Sequence, residues 1–317
     1  MRLLFVVHRA YPYPGGSEIY VQNMAEEAKR RGHDVVVFAG EHQGNYNGII
    51  VTSNTQILTA PWDLVIVHGG DVNVQNFVLS NAKNISSPIL YMIVLPSNSQ
   101  VCLQALQECA YIGCSTQQDW DHVKRHNVAH KAIQIRHGVK YDNCIGMSGF
   151  KSKHNIEGKM FLSCGGYWPN KLMKELAQLF ETSDIDGTLV TTGYDNRMNL
   201  MPFQTNKIKP MLIDNRQEVL SAIFDADALI MHSSQEGFGL VLLEASLNQT
   251  PWIARRIAGA RELDAYGHTY NTDAELIQCL KTIDQYPFSL PITYDYVKNN
   301  HLIGNTIDDI EVVLSNK

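Results

Sequence analysis

Long hydrophobic runs are missing from this 317-residue chain. The apolar stretch near its start, Leu3 to Val7, gives way at once to His8 and Arg9. That is too short for the core of a signal peptide or for a membrane span. The sequence therefore reads as starting at Met1 inside the cell, as a cytoplasmic protein with at most peripheral membrane contact. A basic excess is missing too. Lys and Arg number 26 against 32 Asp and Glu, for a net charge of −6, which argues against a generic nucleic-acid binder. The six cysteines (Cys102, Cys109, Cys114, Cys144, Cys164 and Cys279) form no Cys-x-x-Cys pair. A zinc knuckle, a thioredoxin-type site and a disulfide framework are all disfavoured by that scatter. A Gly-x-Gly-x-x-Gly run is absent, which counts against a dinucleotide-dependent dehydrogenase.

What remains is an ordinary globular composition in a chain longer than one hydrophobic core usually serves. Leu3 to Val7 is continuously apolar, as a parallel strand buried on both faces would be. A loop with Pro12, Pro14, Gly15 and Gly16 follows. Ser17 then stands where a helix cap is expected, and Lys29, Arg30 and Arg31 suit the negative end of a helix stopped by Gly32. Asp34 to Ala39 reads as the next strand, so the chain opens β-loop-α-β. Strands at Leu64 to Val67, Ile89 to Val94 and Ala132 to Ile135, with a helix over Asp119 to His126, continue the pattern. The polar, aperiodic stretch Asp142 to Lys159 marks a domain boundary, placed between residues 149 and 150. A second βα series follows: strand Met160 to Cys164, helix Lys171 to Phe180, strand Thr188 to Thr191, helix Glu218 to Phe224 and strand Ala228 to Met231. The expected architecture is α/β, with two Rossmann-like doubly wound domains (1–149 and 150–317) facing across a cleft, and with the final helix free to pack back on the first. Ligands of such sheets bind at the carboxyl ends of the strands.

The most informative segment runs from Ser233 to Ser246. It follows the strand Ala228 to Met231 and opens a helix. Gly237 and Gly239 permit a tight turn that bares backbone N–H groups, and a helix starting near Gly239 aims its positive end at the same spot. This combination suits a diphosphate. Glu236 precedes the turn. Glu244 lies among Leu242, Leu243 and Ala245, where a carboxylate is costly unless it accepts hydrogen bonds. On the residues alone, Glu244 either binds ligand hydroxyls or pairs with Arg255, Arg256 or Arg261.

Glu236 and Glu244, seven residues between them and Gly-Phe-Gly-Leu after the first, resemble the signature of the family 4 retaining glycosyltransferases of the GT-B fold. The resemblance extends to Gly15-Gly16-Ser17-Glu18, to Arg31-Gly32-His33-Asp34-Val35, to Pro251-Trp252-Ile253-Ala254 and to Gly259-Ala260-Arg261-Glu262. It implies that Glu236 contacts the donor sugar, that backbone N–H groups around Gly237, Phe238, Gly239 and Leu240 meet a diphosphate, and that Glu244 holds the ribose. Gly15 and Gly16 would let backbone approach the donor phosphates or the acceptor. Lys171 matches the family lysine that neutralises the leaving diphosphate, whereas Gly166 stands where the family carries arginine. The histidine expected after the strand Ile89 to Val94 is missing; Ser97, Asn98 and the loop residue His68 are its possible stand-ins on the acceptor side. The implied activity is transfer of a sugar, with retention, from a UDP- or GDP-sugar to a hydroxyl of a glycan or glycolipid, with Glu236 and Lys171 catalytic and without cofactor or metal. A sugar-nucleotide 2-epimerase of the same fold and a non-catalytic sugar-nucleotide or glycan-binding protein are the alternatives. His122, His126 and His130 recur every four residues but lack the carboxylate of a zinc helix, and with Lys124, Arg125 and Lys131 they read as a solvated basic face. Asp184-Ile185-Asp186 reads as a polar turn.

Overall fold

The computed structural model describes residues 1–70, 72–193, 200–285 and 288–315. The chain divides into two compact units. One comprises residues 1–138 and 302–317, the other residues 139–301.

In chain order the first unit contains β1 (Arg2–Val7), α1 (Gly16–Arg30), β2 (Asp34–Ala39), β3 (Gly44–Tyr46), β4 (Ile49–Thr52), β5 (Leu64–Gly69), α2 (Val72–Asn81), β6 (Ile89–Ile93), α3 (Gln100–Glu108), β7 (Tyr111–Cys114), α4 (Gln117–Arg125) and β8 (Ala132–Gln134). The second contains α5 (Phe150–Lys153), β9 (Met160–Cys164), α6 (Met173–Thr182), β10 (Thr188–Gly193), β11 (Ile208–Leu212), α7 (Arg216–Asp225), β12 (Ala228–Met231), α8 (Leu240–Leu247), β13 (Trp252–Arg255), α9 (Ala258–Glu262), β14 (His268–Tyr270), α10 (Asp273–Lys281) and α11 (Leu290–Asn300). The last helix, α12 (Ile303–Ser315), returns to the first unit.

Each unit is built on one sheet. The first has eight strands in the order β3-β4-β2-β1-β5-β6-β7-β8, parallel except for the β3–β4 hairpin. The second has six parallel strands in the order β11-β10-β9-β12-β13-β14. In the first sheet β1 is central, with Leu3 opposite both Val35 of β2 and Leu64 of β5. Leu3 and Leu4 are fully buried, as is all of Leu64 to Val67, which is why these strands read as unbroken apolar runs and not as an alternation. In the second unit, Phe161, Leu189, Ile230 and Ile253 form the interior with Leu176 and Phe180 of α6.

The boundary differs from the sequence expectation. Residues 139–149 belong to the second unit, held there by backbone hydrogen bonds that composition does not reveal. Val139 N–H donates to the His301 carbonyl at 2.9 Å. Gly146 N–H donates to Asn248 Oδ1 at 2.7 Å and Gly149 N–H to Asp225 Oδ2 at 2.9 Å. Within the first unit, α12 packs on α1. Arg31 donates to Asp308 at 2.7 Å, to Glu311 at 2.9 Å and to the Gly304 carbonyl at 2.9 Å, so the basic end of α1 is also the anchor of the last helix.

Three local expectations are corrected. Gly15, not Ser17, caps α1 with extended backbone, and no side chain assists it. Lys171 lies in a 3-10 turn ahead of α6, separated from the helix by Leu172 in the left-handed region at φ 50°. The basic face is not uniformly solvated. Lys124, Arg125 and His130 are exposed, but His122 is 1 % exposed and its Nε2 has no partner. Asp119 and Thr116 cap α4 reciprocally, and that fixed start turns His122 inward.

Burial, with His126 and Arg125 adding to it, holds the His122 ring down at about 4. Between pH 6.5 and 4 the unfolded chain therefore takes up a proton that the folded protein refuses. The stability tied to the neutral ring is complete above pH 6.5 and is lost as pH falls toward 4. Melting temperature should consequently fall less steeply over that window in His122→Leu than in the parent, as followed by circular dichroism. Parallel slopes would contradict this account.

Candidate donor site of the second unit

β9 and β12 are neighbours, and the loops leaving their carboxyl ends meet. The β9 loop contains Gly165, Gly166, Tyr167, Trp168, Asn170 and Lys171. Buried Tyr167 anchors it, with its hydroxyl 3.0 Å from the Thr191 and Met211 carbonyl oxygens. The β12 loop runs through Ser233, Glu236 and the Gly-Phe-Gly turn into α8. Two contacts stitch the loops together: Ser234 N–H donates to the Asn170 carbonyl at 2.8 Å, and the Asn170 side-chain amide donates to the Gln235 carbonyl at 2.9 Å. Between them, Lys171 Nζ donates to Glu236 Oε1 at 2.5 Å. Ser233 Oγ donates to the same oxygen at 2.6 Å. Glu236 is thus oriented by an ammonium and a hydroxyl on one carboxylate oxygen.

The turn requires its glycines. Gly239 caps α8 at φ 84°, in the left-handed region that other residues seldom adopt, and a Cβ there would sit 3.0 Å from Met231 Sδ. Phe238 is buried, its ring 5.3 Å from that of His301. Its carbonyl is backed by Gly259: a Cβ at Gly259 would lie 1.8 Å from the Phe238 oxygen. The segment Gly259 to Glu262, which lies in α9, therefore forms the floor beneath the Gly-Phe-Gly turn. Leu240 begins α8, so the free N–H groups of its first turn emerge beside Gly237 and Gly239.

Glu244 is 9 % exposed. Its partner is none of the three arginines considered from sequence. Arg216, the first residue of α7, grips it with both terminal nitrogens: Nη1 donates to Oε2 at 3.3 Å and Nη2 donates to Oε1. Arg255 instead lies 3.1 Å from His232 Nε2 and 3.4 Å from Asp273, Arg256 pairs with Asp264 at 2.9 Å, and Arg261 is exposed. Sequence spacing gave no hint of Arg216, because α7 and α8 meet only through the fold.

His232 is a second residue the sequence reading missed. It is 3 % exposed directly after β12. Burial, then Arg255, keeps its ring neutral, down at about 4. With Nε2 accepting from Arg255, Nδ1 carries the proton and donates to the Tyr270 hydroxyl at 2.6 Å. This chain of bonds ties the carboxyl ends of β12, β13 and β14 together.

The remaining candidates lie in the first unit, at the carboxyl side of its adjacent strands β1, β5 and β6. Gly15 is buried and Gly16 exposed; a Cβ on Gly16 would meet nothing within 4 Å. His68 is not a loop residue. β5 continues through it, opposite Met92 of β6, and its ring is buried 5.4 Å from Tyr20 of α1. Burial lowers it to about 4. Ser97 is half-buried and caps Ser99 N–H at 3.2 Å. Asn98 is exposed, its Oδ1 3.1 Å from His126 Nε2. Asp184, Ile185 and Asp186 line a separate pocket of about 530 Å³ at the amino ends of β9 and β10, shared with Glu157, Lys159 and Lys207. Among the described residues no cluster of three His, Cys, Asp or Glu side chains is placed to hold a metal ion, and no helix is long and apolar enough to cross a membrane.

No family model and no curated protein sequence matches the chain. Solved structures do. Anabaena HepE in complex with UDP-glucose is similar at a TM-score of 0.78 and 16 % identity, covering 100 % of both chains. Sucrose-phosphate synthase from Thermosynechococcus elongatus gives 0.72 at 14 % identity over 100 % of this chain and 97 % of that one. The apo form of the lipopolysaccharide outer core galactosyltransferase WaaB gives 0.73 at 15 % identity over 100 % of both. These neighbours are GT-B glycosyltransferases, and the fold of this chain is the two-domain, Rossmann-like GT-B fold.

Proposed function

We propose that this protein is a glycosyltransferase that moves a sugar from a nucleoside diphosphate sugar to an acceptor hydroxyl with the anomeric configuration retained. The carrying observation is the pairing of Glu236 with Lys171 beside the glycine turn that opens α8. One acid and one cation are held where a sugar and its diphosphate would meet. The bare N–H groups at the start of α8 suit the diphosphate, and the second acid, Glu244, lies one helical stretch further on. Occurrence of this arrangement on a GT-B fold, some of whose neighbours hold UDP or UDP-glucose, supports the nucleotide-sugar reading.

In this reading the free Oε2 of Glu236 accepts a hydroxyl of the donor sugar. Lys171 donates to the leaving diphosphate as the bond from the anomeric carbon to phosphate oxygen breaks. The acceptor oxygen forms its bond on the same face, and its proton passes to the leaving phosphate oxygen. Glu236 remains a binding group. The lysine and the helix start supply positive charge, so the reaction proceeds without a metal, in the cytoplasm, on a glycan or lipid-linked acceptor. Incubation with a panel of UDP- and GDP-sugars should release free nucleoside diphosphate in the presence of an acceptor, unchanged by EDTA. An isomerised donor would instead show a 2-epimerase, and tight binding without turnover a binding protein; either result would overturn the proposal.

A further inference from the structure

The Gly-Phe-Gly turn owes its place to more than its glycines. Phe238, its middle residue, is buried and is held from two sides. Behind its carbonyl stands Gly259 of α9, with no room for a Cβ. Against its ring lies His301, also buried, at a centroid distance of 5.3 Å, within the range where aromatic pairs attract. His301 in turn meets Tyr296 of α11 at 5.5 Å. Tyr296 stacks on Tyr266 at 3.8 Å, with the planes 12° apart. Tyr266 ends the short 3-10 turn that follows α9, and Thr293 Oγ1 of α11 donates to its carbonyl at 2.7 Å. These contacts close a circuit. It leaves Phe238 through the ring, passes along α11, and returns by way of α9 to the Phe238 carbonyl.

His301 is the link in that circuit with a second attachment. It caps the carboxyl end of α11, its N–H donating to the Val297 carbonyl at 2.8 Å. Its own carbonyl accepts from Val139 N–H at 2.9 Å. Val139 and His301 are the first and last residues of the second unit. One residue thus touches the glycine turn with its ring and, with its backbone, joins the points where the chain enters and leaves the unit. The N–H groups at the start of α8 serve a diphosphate best when the turn is already fixed, because ordering it on binding would cost affinity.

Resting on the donor reading above, we infer that His301 is a positioning residue for the donor diphosphate: its ring holds Phe238 and the glycine turn in place, and its carbonyl couples that turn to the chain entry at Val139.

The test removes the ring and then restores it. UDP and GDP are titrated calorimetrically into the parent protein, into His301→Ala and into His301→Phe, with uridine or guanosine as the phosphate-free probe. Loss of the ring contacts should weaken the diphosphate about 10-fold in His301→Ala. Phenylalanine keeps a ring and should restore the affinity to within about 2-fold of the parent. The nucleoside should bind all three proteins alike. Equal losses for nucleoside and diphosphate, or a His301→Phe protein as weak as His301→Ala, would overturn the inference. Amide hydrogen exchange in the parent protein keeps it open to refutation should a variant fold poorly. At saturating UDP or GDP the Val139 amide should exchange about 5-fold more slowly, and in His301→Ala that slowing should vanish. An unchanged rate in the parent, or slowing that persists in His301→Ala, would overturn the coupling. A parent protein that binds neither UDP nor GDP would sink the donor reading and this inference with it, whereas a parent that binds one of them and a His301→Ala protein that binds it equally well would sink the inference alone.

Discussion

Glu236→Gln should lower kcat/KM for sugar transfer by about 1,000-fold, close to 4 kcal/mol of transition-state stabilisation, while the melting temperature changes little. Glutamine keeps the length and the hydrogen bond from Ser233, but it cannot neutralise an ammonium. Lys171, now 2.5 Å from Glu236 Oε1, loses its counter-ion and its fixed direction. On the proposed reading, the donor sugar loses a charged acceptor at the same time. Both effects concern preorganised charge around the reacting bond, where single groups are worth most. The Glu236 side chain keeps only 11 % of its surface in water while that of Lys171 keeps 22 %, so the freed lysine can hydrate and the fold survives. Donor hydrolysis and transfer, measured separately against binding of the free nucleoside diphosphate, check the prediction. Activity within a few-fold of the parent would remove Glu236 from the site.

Gly259→Ala should have the largest effect on stability among single methyl additions near the site, about 3 kcal/mol. The atom in its way, 1.8 Å from the added carbon, is the Phe238 carbonyl oxygen. Backbone cannot swing aside as a side chain can, so either α9 or the Gly-Phe-Gly turn must move. Movement of the turn displaces the N–H groups of α8 that suit a diphosphate. The variant should therefore lose nucleotide affinity as well as melting temperature. At Gly16 an added carbon meets nothing within 4 Å, and Gly16→Ala should leave the melting temperature nearly unchanged. Chemical denaturation of the two variants side by side checks the contrast, and a Gly259→Ala protein as stable as the parent would mean that the floor beneath Phe238 is soft.

Much of the architecture was readable because parallel strands covered on both faces write themselves as apolar runs. β1, β5, β9 and β12 are such cases. The Glu236 turn was readable for a different reason: a left-handed residue such as Gly239 at the start of a helix favours glycine, and glycine spacing survives in the sequence. Pairings between elements left no trace. Glu244 advertised the need for a partner, yet its partner lies 28 residues earlier on another helix. The unit boundary lies earlier because residues 139–149 are fastened by their backbone N–H groups to a distant carbonyl and to distant side chains, which hydropathy does not register. His68 was misjudged because the strand ran two residues past its last aliphatic side chain, and His122 because helical spacing alone does not say which face of α4 is covered.

The anchoring of α12 on α1 has a consequence for how the protein is made. Residues 139–301 form a uniform insert in the middle of a discontinuous unit, and the insert's two ends are joined by the bond from Val139 N–H to the His301 carbonyl. During synthesis the insert is complete while its host still lacks a helix carrying Ile307 and Ile310, both of them fully buried. The segment translated first is therefore the one finished last. Until α12 emerges, the side of α1 that this helix covers stays exposed, although α1 already packs on β1 and β2.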